Sequence, residues 1–421
     1  MSTPDSTLFH QDPTDTVRSH GILPAQSIRN FVSSGVISAP GSAPISDDQV
    51  QPASIDLRLG RKAYLVQASF LPGRSSTFFT KAQGLIEKEI DLTQPALLEQ
   101  NAVYIVPILE RLNLPADVRG IANPKSTTGR LDIFSRLITE YGDEFERVPP
   151  QYSGELYVEI VTRTFKVWVR EGMKLNQLRF VRGASEPLDE RGLSELAKEI
   201  KTTEELQPLP DDPGASQRGV PRGWPITVDL EGNGSRTVAY RAKEFRTPID
   251  LAKINHYEIE DFWDLISRPK DGRLILEPDK FYLLASKRRI CVPPKYSAEM
   301  VAYDPTMGEF HVHYAGFFDP GFGWGTNGEI GGTRAVLEVR AHDMPVLLED
   351  DQLVGSLQYY AMAAVPEKVY GTGIGSSYQK QELTPSKQFK VPMETSSETA
   401  EKDRLPWVAR SRREVALLET H

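Results

Sequence analysis

Apolar and polar residues alternate along much of this chain in short runs that Pro and Gly interrupt. Tyr104 to Leu109, Leu156 to Val161, Phe165 to Val169, Phe281 to Leu284 and Ala335 to Val339 are rich in Val, Ile, Leu, Tyr and Phe. Runs of this length, bounded by turn residues, predict strands. Many such strands predict a mainly β fold of the sandwich, barrel or jelly-roll kind, with a few short helices. Helical spacing is confined to few places. Gln26 to Ser33 predicts one helix, and Glu258 to Ile266 another, with Ile259, Phe262, Trp263 and Ile266 on one face. A charged third is predicted from about Asp189 to Leu206, with Leu193, Leu196 and Ile200 on one face.

The pattern occurs twice. Ile55, Asp56 and Leu57 alternate as Val228, Asp229 and Leu230 do, at an offset of 229 − 56 = 173. Tyr104 and Pro115 recur as Tyr282 and Pro294, at offsets of 178 and 179, and Glu159 recurs as Glu338 at 179. Ordered matches at a nearly constant offset point to an internal duplication; two unrelated β-rich domains are the competing reading. The chain then divides into a polar N-terminal tail (1–21), a first domain (22–185), a helix plus Pro/Gly/Asp-rich linker (186–222), a second domain (223–385) and a polar C-terminal tail (386–421).

A length of 421 residues with 39% hydrophobic content is too long for one ordinary core and sufficient for two. A net charge of −9 with no basic stripe argues against a nucleic-acid polymer as partner. It leaves room for a small polyanion held by locally focused cations. The opening MSTPDSTLFHQDPTD has no signal-peptide pattern, and no stretch approaches the roughly 18 apolar residues that span a bilayer. A soluble cytoplasmic protein without a membrane partner is expected. The single cysteine, Cys291, forms no intrachain disulfide and excludes a multi-cysteine metal site; it reads as a small core residue.

Four segments carry candidate chemistry. In NPKSTTGRLDIF, residues 123 to 134, Lys125, Ser126, Thr127, Thr128, Gly129 and Arg130 gather hydroxyls, a glycine and two cations. That set suits a highly charged oxyanion, though such runs are also common surface turns. In HVHYAGFFDPGFGWG, Asp319 either starts the Asp-Pro-Gly turn or accepts from a sugar hydroxyl. In AVLEV, Glu338 interrupts an apolar strand and shares a face with Val336, opposite Leu337. It is a surface-facing glutamate, or a carboxylate whose raised pKa lets it carry protons. VYGTGIGSSYQKQ, with Tyr370, Lys380 and Gln381, is a tail or a flap that closes over phosphates.

Together these segments resemble the deoxycytidine triphosphate deaminase family, within the trimeric dUTPase-like superfamily. IDLRLG and LPADVRGIANPKSTTGRL are similar to the family over its phosphate-binding Arg-Ser-Ser-Leu-x-Arg motif, with Ser126 and Arg130 on the Ser and second Arg and Lys125 replacing the first. YAGFFDPGF resembles the nucleoside pocket, and Glu338 of AVLEV falls at the catalytic Glu. Tyr370 and Gln381 match the C-terminal lid, where Ser377 replaces a usual Lys. The second copy is too short to hold the phosphate motif, and the first has PPQYSG in place of the pocket turn. The copies are broken in complementary places.

The resemblance implies two tandem dUTPase-like domains of distorted jelly-roll, or β-clip, form. It implies deamination of dCTP to dUTP and ammonia at a composite site, with Glu338 as metal-independent acid–base and Glu159 as a relic. Arg130 would pair with Glu338, while Ser126 and the Ala315 carbonyl place the water and the amino group. Asp319 would accept from the 3′-hydroxyl, and Val336 and Leu337 would be among the substrate-binding residues. Lys125, Thr127, Thr128, Gly129, Tyr370, Lys380 and Gln381 would hold the triphosphate, with Mg²⁺ bound through its oxygens and no protein-ligated metal. A homo-oligomer is implied. Alternatives are a dUTP diphosphatase or bifunctional deaminase–diphosphatase, and a non-catalytic nucleotide sensor. Tyr314 in place of a usual Thr leaves dTTP control open. His311 and His313, two apart on a strand, leave a metal hydrolase as a further alternative, with His342 or Glu338 as third ligand.

Overall fold

The structure, a computed structural model, describes residues 20–200, 223–232, 234–244, 247–301, 310–313 (backbone only), 316–325, 328–341, 343–371, 378–379 and 381–390. Among these the chain is mainly β, as expected, with five short helices. In the first half, one sheet is built on Lys174–Arg182, flanked by Val118–Pro124, Ile55–Arg58 and Gly21–Ile22. The other runs Ile86–Asp91, Lys62–Val66, Val103–Asn113, Ser153–Thr162 and Ile133–Thr139. Leu57, Val118 and Leu178 of the first sheet share one core with Val106, Val158 and Ile160 of the second. Val118–Pro124 alternates buried and half-buried positions, as a strand with one face on a core should.

The second half forms a longer path: Trp263–Ser267, Thr237–Ala242, Phe281–Ile290, Trp224–Asp229, Leu353–Ala361, Tyr296–Val301 and Phe317–Phe318. Thr333–Ala341 lies beside Phe281–Ile290. Its core contains Leu284, Leu337, Val339, Leu357 and the buried Cys291.

Local geometry repeats between the halves at the offsets read from the sequence. The Tyr104 hydroxyl accepts from Glu99 N–H at 3.0 Å, and the Tyr282 hydroxyl accepts from Glu277 N–H at the same distance. Glu159 is paired across its ladder with Ile105, and Glu338 with Leu283. Parallel bridges join Gln100 to Thr162 and Pro278 to Ala341.

The halves are closely joined. Ile249–Asp250 adds in parallel to Val167–Val169 of the first half. Arg340 of the second half forms a buried ion pair with Asp132 of the first and donates to the Thr164 hydroxyl at 2.9 Å. Phe165 packs edge-on against Trp263 at 5.5 Å, and Phe389 against Phe262 at 5.4 Å. Ser386, Gln388 and Phe389, which sequence assigns to the polar tail, are therefore buried at this seam.

Helix Ala25–Ser33 agrees with expectation, and the predicted charged helix is Glu190–Glu199 within the described residues. Glu258 to Ile266 differs. Only Ile259–Phe262 is helical, and Trp263–Ser267 is a strand paired with Thr237–Ala242. The apolar spacing fits both forms, and sheet pairing with burial of Trp263 wins over local helical preference. No helix among the described residues is long and apolar enough to cross a membrane.

Candidate active site

Val118–Pro124 carries the polar run of the first half to the seam. Pro124 has no N–H to extend a ladder, and the chain turns there. Lys125 N–H donates to Leu175 O at 3.0 Å, and Ser126–Gly129 makes one helical turn. Thr128 is buried, and its hydroxyl fastens the turn by donating to Leu175 O at 2.8 Å. Gly129 then meets the carboxylate of Glu338 from the second half. A Cβ at this position would overlap both Glu338 oxygens, so the close approach requires glycine.

Glu338 lies on Thr333–Ala341, between Leu283 and His313 in register. Leu337 and Val339 turn into the core, while Val336 shares the face of Glu338 and lines the same cavity. Leu337 can therefore meet a ligand only through its main chain. Glu338 is 6% exposed. Burial drives its pKa well above the ordinary carboxylate range; the Arg130 guanidinium opposes this and Asp132 adds to it.

Arg130 is also buried, and burial lowers its pKa. Its guanidinium carbon lies 3.6 Å from the centroid of the Tyr378 ring. Nη1 donates to Gln381 Oε1 at 2.9 Å and to Thr384 O at 2.8 Å, while Nε has no hydrogen-bond partner. Arg130 and Glu338 line one cavity of about 60 Å³ and interact through space, with no direct ion pair between them. Ser126, Tyr370 and Gln381 line it as well.

This cavity shares Lys125, Ser126, Phe317, Tyr370 and Tyr378 with a cleft of about 690 Å³. Asp56, Thr127, Lys174, Asp319, Lys368 and Lys387 line the cleft. Lys125 is ion-paired with Asp56, and Lys174 with Asp48. Lys387 has no acidic partner within 4.0 Å among the described residues; burial lowers its pKa and Lys125 lowers it further. The Thr127 hydroxyl is 3.1 Å from that of Tyr378. Tyr370 N–H donates to Pro320 O at 2.7 Å. Asp319 is 9% exposed, and burial pushes its carboxyl up to about 6 against the pull of Arg179 and Lys125.

The corresponding place in the first half is closed. Glu159 Oε1 accepts from Arg136 Nη2 at 2.6 Å and from Nε at 3.1 Å, and the Arg136 guanidinium stacks on Phe145 at 3.5 Å. Ala315 and Lys380 lie outside the described residues, as do the side chains of His311, His313 and His342. Among the described residues no group of three or more His, Cys, Asp or Glu is arranged to hold a metal ion. Sequence reasoning missed Arg179, Tyr378 and Lys387. Arg179 left no local signal, since KLNQLRFVR already mixes Lys174, Asn176 and Gln177 with its apolar residues. Lys387 left none in a polar tail.

Comparison with known proteins identifies the family that this chain resembles. Residues 19–184 match the family model of the 2′-deoxycytidine 5′-triphosphate deaminase N-terminal domain, and residues 196–389 that of the C-terminal domain. A crystal structure of 2′-deoxycytidine 5′-triphosphate deaminase from Agrobacterium tumefaciens is 44% identical with a TM-score of 0.74, over 82% of this chain and all of that one. A "dCTP deaminase, dUMP-forming" from Corynebacterium jeikeium is 29% identical over 31% of this chain and 67% of its own length. A dCTP deaminase from Halorubrum lacusprofundi is 28% identical over 32% of this chain and 64% of its own length.

Proposed function

The chain belongs to the 2′-deoxycytidine 5′-triphosphate deaminase family and is a hydrolytic dCTP deaminase; from that premise we propose that its two halves build one site in cis, in which Glu338 is the acid–base. The observation that carries this is the contact of Gly129 with Glu338, which sets the polar run of one half against the buried carboxylate of the other.

The reaction converts dCTP and water to dUTP and ammonia. Glu338 takes a proton from water as the oxygen attacks C4 of cytosine, and delivers it to N3. The C4–N4 bond of the tetrahedral intermediate then breaks, and the amino group leaves as ammonia with a proton from the attacking oxygen. Burial raises the pKa of Glu338 above that of an ordinary carboxylate and so strengthens it as a base toward the attacking water. Arg130, fixed by Tyr378 and Gln381, offsets the charge that develops beside it. Ser126 and the Ala315 carbonyl place the water and the amino group. Asp319 accepts from the 3′-hydroxyl. Lys125, Thr127, Lys380 and Lys387 hold the triphosphate in the cleft. Asp48 and Asp56 there are already paired with Lys174 and Lys125, which suits Mg²⁺ carried by the substrate's oxygens rather than by protein ligands. A homo-oligomer would repeat this site rather than complete it.

The test is to follow ammonia release from dCTP in the wild-type protein and in Glu338→Gln. A wild-type rate in the variant would defeat the assignment. A second reading, in which dUTP is also cleaved to dUMP, is favoured by the "dUMP-forming" names of several relatives. Pyrophosphate appearing with ammonia supports it; ammonia alone rejects it.

A further inference from the structure

The strand Lys174–Arg182 supports the Lys125–Gly129 turn from beneath, and it also sends one side chain across the seam. Gln177 and Arg179 share a face of this strand, and Gln177 lines the cleft. Arg179 is 1% exposed, and its guanidinium carbon lies 3.9 Å from the centroid of the Phe317 ring in the second half. Its Nη2 is 3.8 Å from Asp319 Oδ1. That separation is too long for a hydrogen bond. Nε and Nη2 of Arg179 and Oδ1 of Asp319 are all buried without hydrogen-bond partners. Unsatisfied buried charged groups are costly, so two of them facing each other call for an explanation. Neither Arg179 nor Phe317 has a part in the chemistry described above.

We propose that Arg179 is a positioning residue for sugar recognition: from the first half it holds the Asp319 carboxylate of the second half charged and turned toward the deoxyribose 3′-hydroxyl. The inference rests on the reading of Asp319 as the acceptor for that hydroxyl. The slack at 3.8 Å leaves the carboxylate unspent on its cation, so its oxygen stays available for the sugar. Its place over the face of the Phe317 ring holds the guanidinium while that slack remains. The electrostatics agree. The largest pull against the burial of Asp319 is Arg179, followed by Lys125, while Asp56 acts in the opposite direction. Arg179 in turn faces Asp319, Glu299 and Tyr360. Without the guanidinium, the carboxyl would hold its proton to higher pH and would lose the acceptor that a hydroxyl donor needs.

The experiment compares dCTP with 2′,3′-dideoxycytidine triphosphate in the wild type, Arg179→Met, Arg179→Lys and Asp319→Asn. In Arg179→Met, KM for dCTP should rise by about tenfold or more, in line with a lost charge-assisted hydrogen bond, while kcat changes less than about threefold. KM for the dideoxy substrate should stay near its wild-type value, so that discrimination between the two collapses. KM for dCTP should rise in the wild type as Asp319 takes up a proton, at about pH 6, and in Arg179→Met that rise should move to higher pH. Arg179→Lys should restore part of the discrimination. If Arg179→Met fails to fold, Arg179→Lys carries the test alone: weakened discrimination supports the proposal and wild-type discrimination overturns it. Full discrimination in a folded Arg179→Met also overturns it. If wild type and Asp319→Asn distinguish the two substrates equally, the reading of Asp319 itself falls, and this inference with it.

Discussion

Gly129 and Glu338 come from opposite halves of the chain, yet the carboxylate of one rests on the Cα of the other with no room for a side chain between them. This contact lies at the seam that the Arg340–Asp132 ion pair and the Ile249–Asp250 strand also join. Gly129→Ala therefore either pushes Glu338 aside or tilts the turn that carries Ser126 and Arg130. Displacement of a reacting group by about 1 Å costs roughly 10²-fold in rate. We expect kcat to fall by about that factor, with a smaller change in KM. Steady-state kinetics on the folded variant decide it, and an unchanged kcat would mean that the two groups do not act together.

Glu338→Gln keeps the shape and removes the proton exchange. Activity should fall by roughly 10²- to 10⁴-fold, the range of positioned acid–base catalysis. Stability should move the other way. The folded-state pKa of Glu338 is raised above the ordinary 4.5 by burial, so between those two values the folded state holds a proton that the unfolded state has lost. Folding stability then falls as pH rises through that window. The glutamine variant lacks this slope and should melt at a higher temperature than the wild type at pH 7 and above. Thermal melting at several pH values checks it; parallel curves for the two proteins would show that burial does not raise the pKa of Glu338.

Glu159 occupies the matching ladder position of the first half, and its fate there is opposite. Arg136 donates to it twice and closes the space above it with Phe145. Glu159→Gln should leave kcat for dCTP unchanged and destabilise the fold by roughly 1–3 kcal/mol, because it weakens a buried charge-assisted pair. The two glutamine variants thus form a crossed pair, one losing activity and the other stability. Loss of activity in a folded Glu159→Gln would place a second working site in the first half.

Much of this was legible in the sequence because it rests on local pattern. Alternation marked the strands around Glu159 and Glu338, and the offset of 179 already paired them. The hydroxyl- and cation-rich run from Lys125 to Arg130 stood out in the sequence, and the structure sets it against the Glu338 carboxylate. The strand at Trp263–Ser267 was not legible, because Ile259, Phe262, Trp263 and Ile266 satisfy a helical face equally well and only the Thr237–Ala242 partner selects the strand. Arg179 and Tyr378 were hidden for a different reason. Each matters through a neighbour about 140 or 250 residues away, Asp319 and Arg130, and no local spacing encodes such a contact.

Lys387 offers a test in which binding and stability should part. It lines the cleft near Lys125 and Lys174, it is half-buried, and it lacks an acidic partner within 4.0 Å among the described residues. Its folded-state pKa is lowered below 10.5, first by burial and then by Lys125. At pH 7 the charged lysine is therefore a strain on the empty protein, relieved as pH rises toward 10.5. Lys387→Gln should raise the melting temperature of the ligand-free protein at pH 7. The same substitution should raise KM for dCTP by about tenfold, since a phosphate oxygen loses a charge-assisted partner. The effect should shrink for dCDP and vanish for dCMP as the distal phosphates are removed. Ligand sites commonly hold such destabilising charge because the ligand neutralises it. A variant that melts higher yet binds dCTP as well as the wild type would leave Lys387 outside the triphosphate cradle.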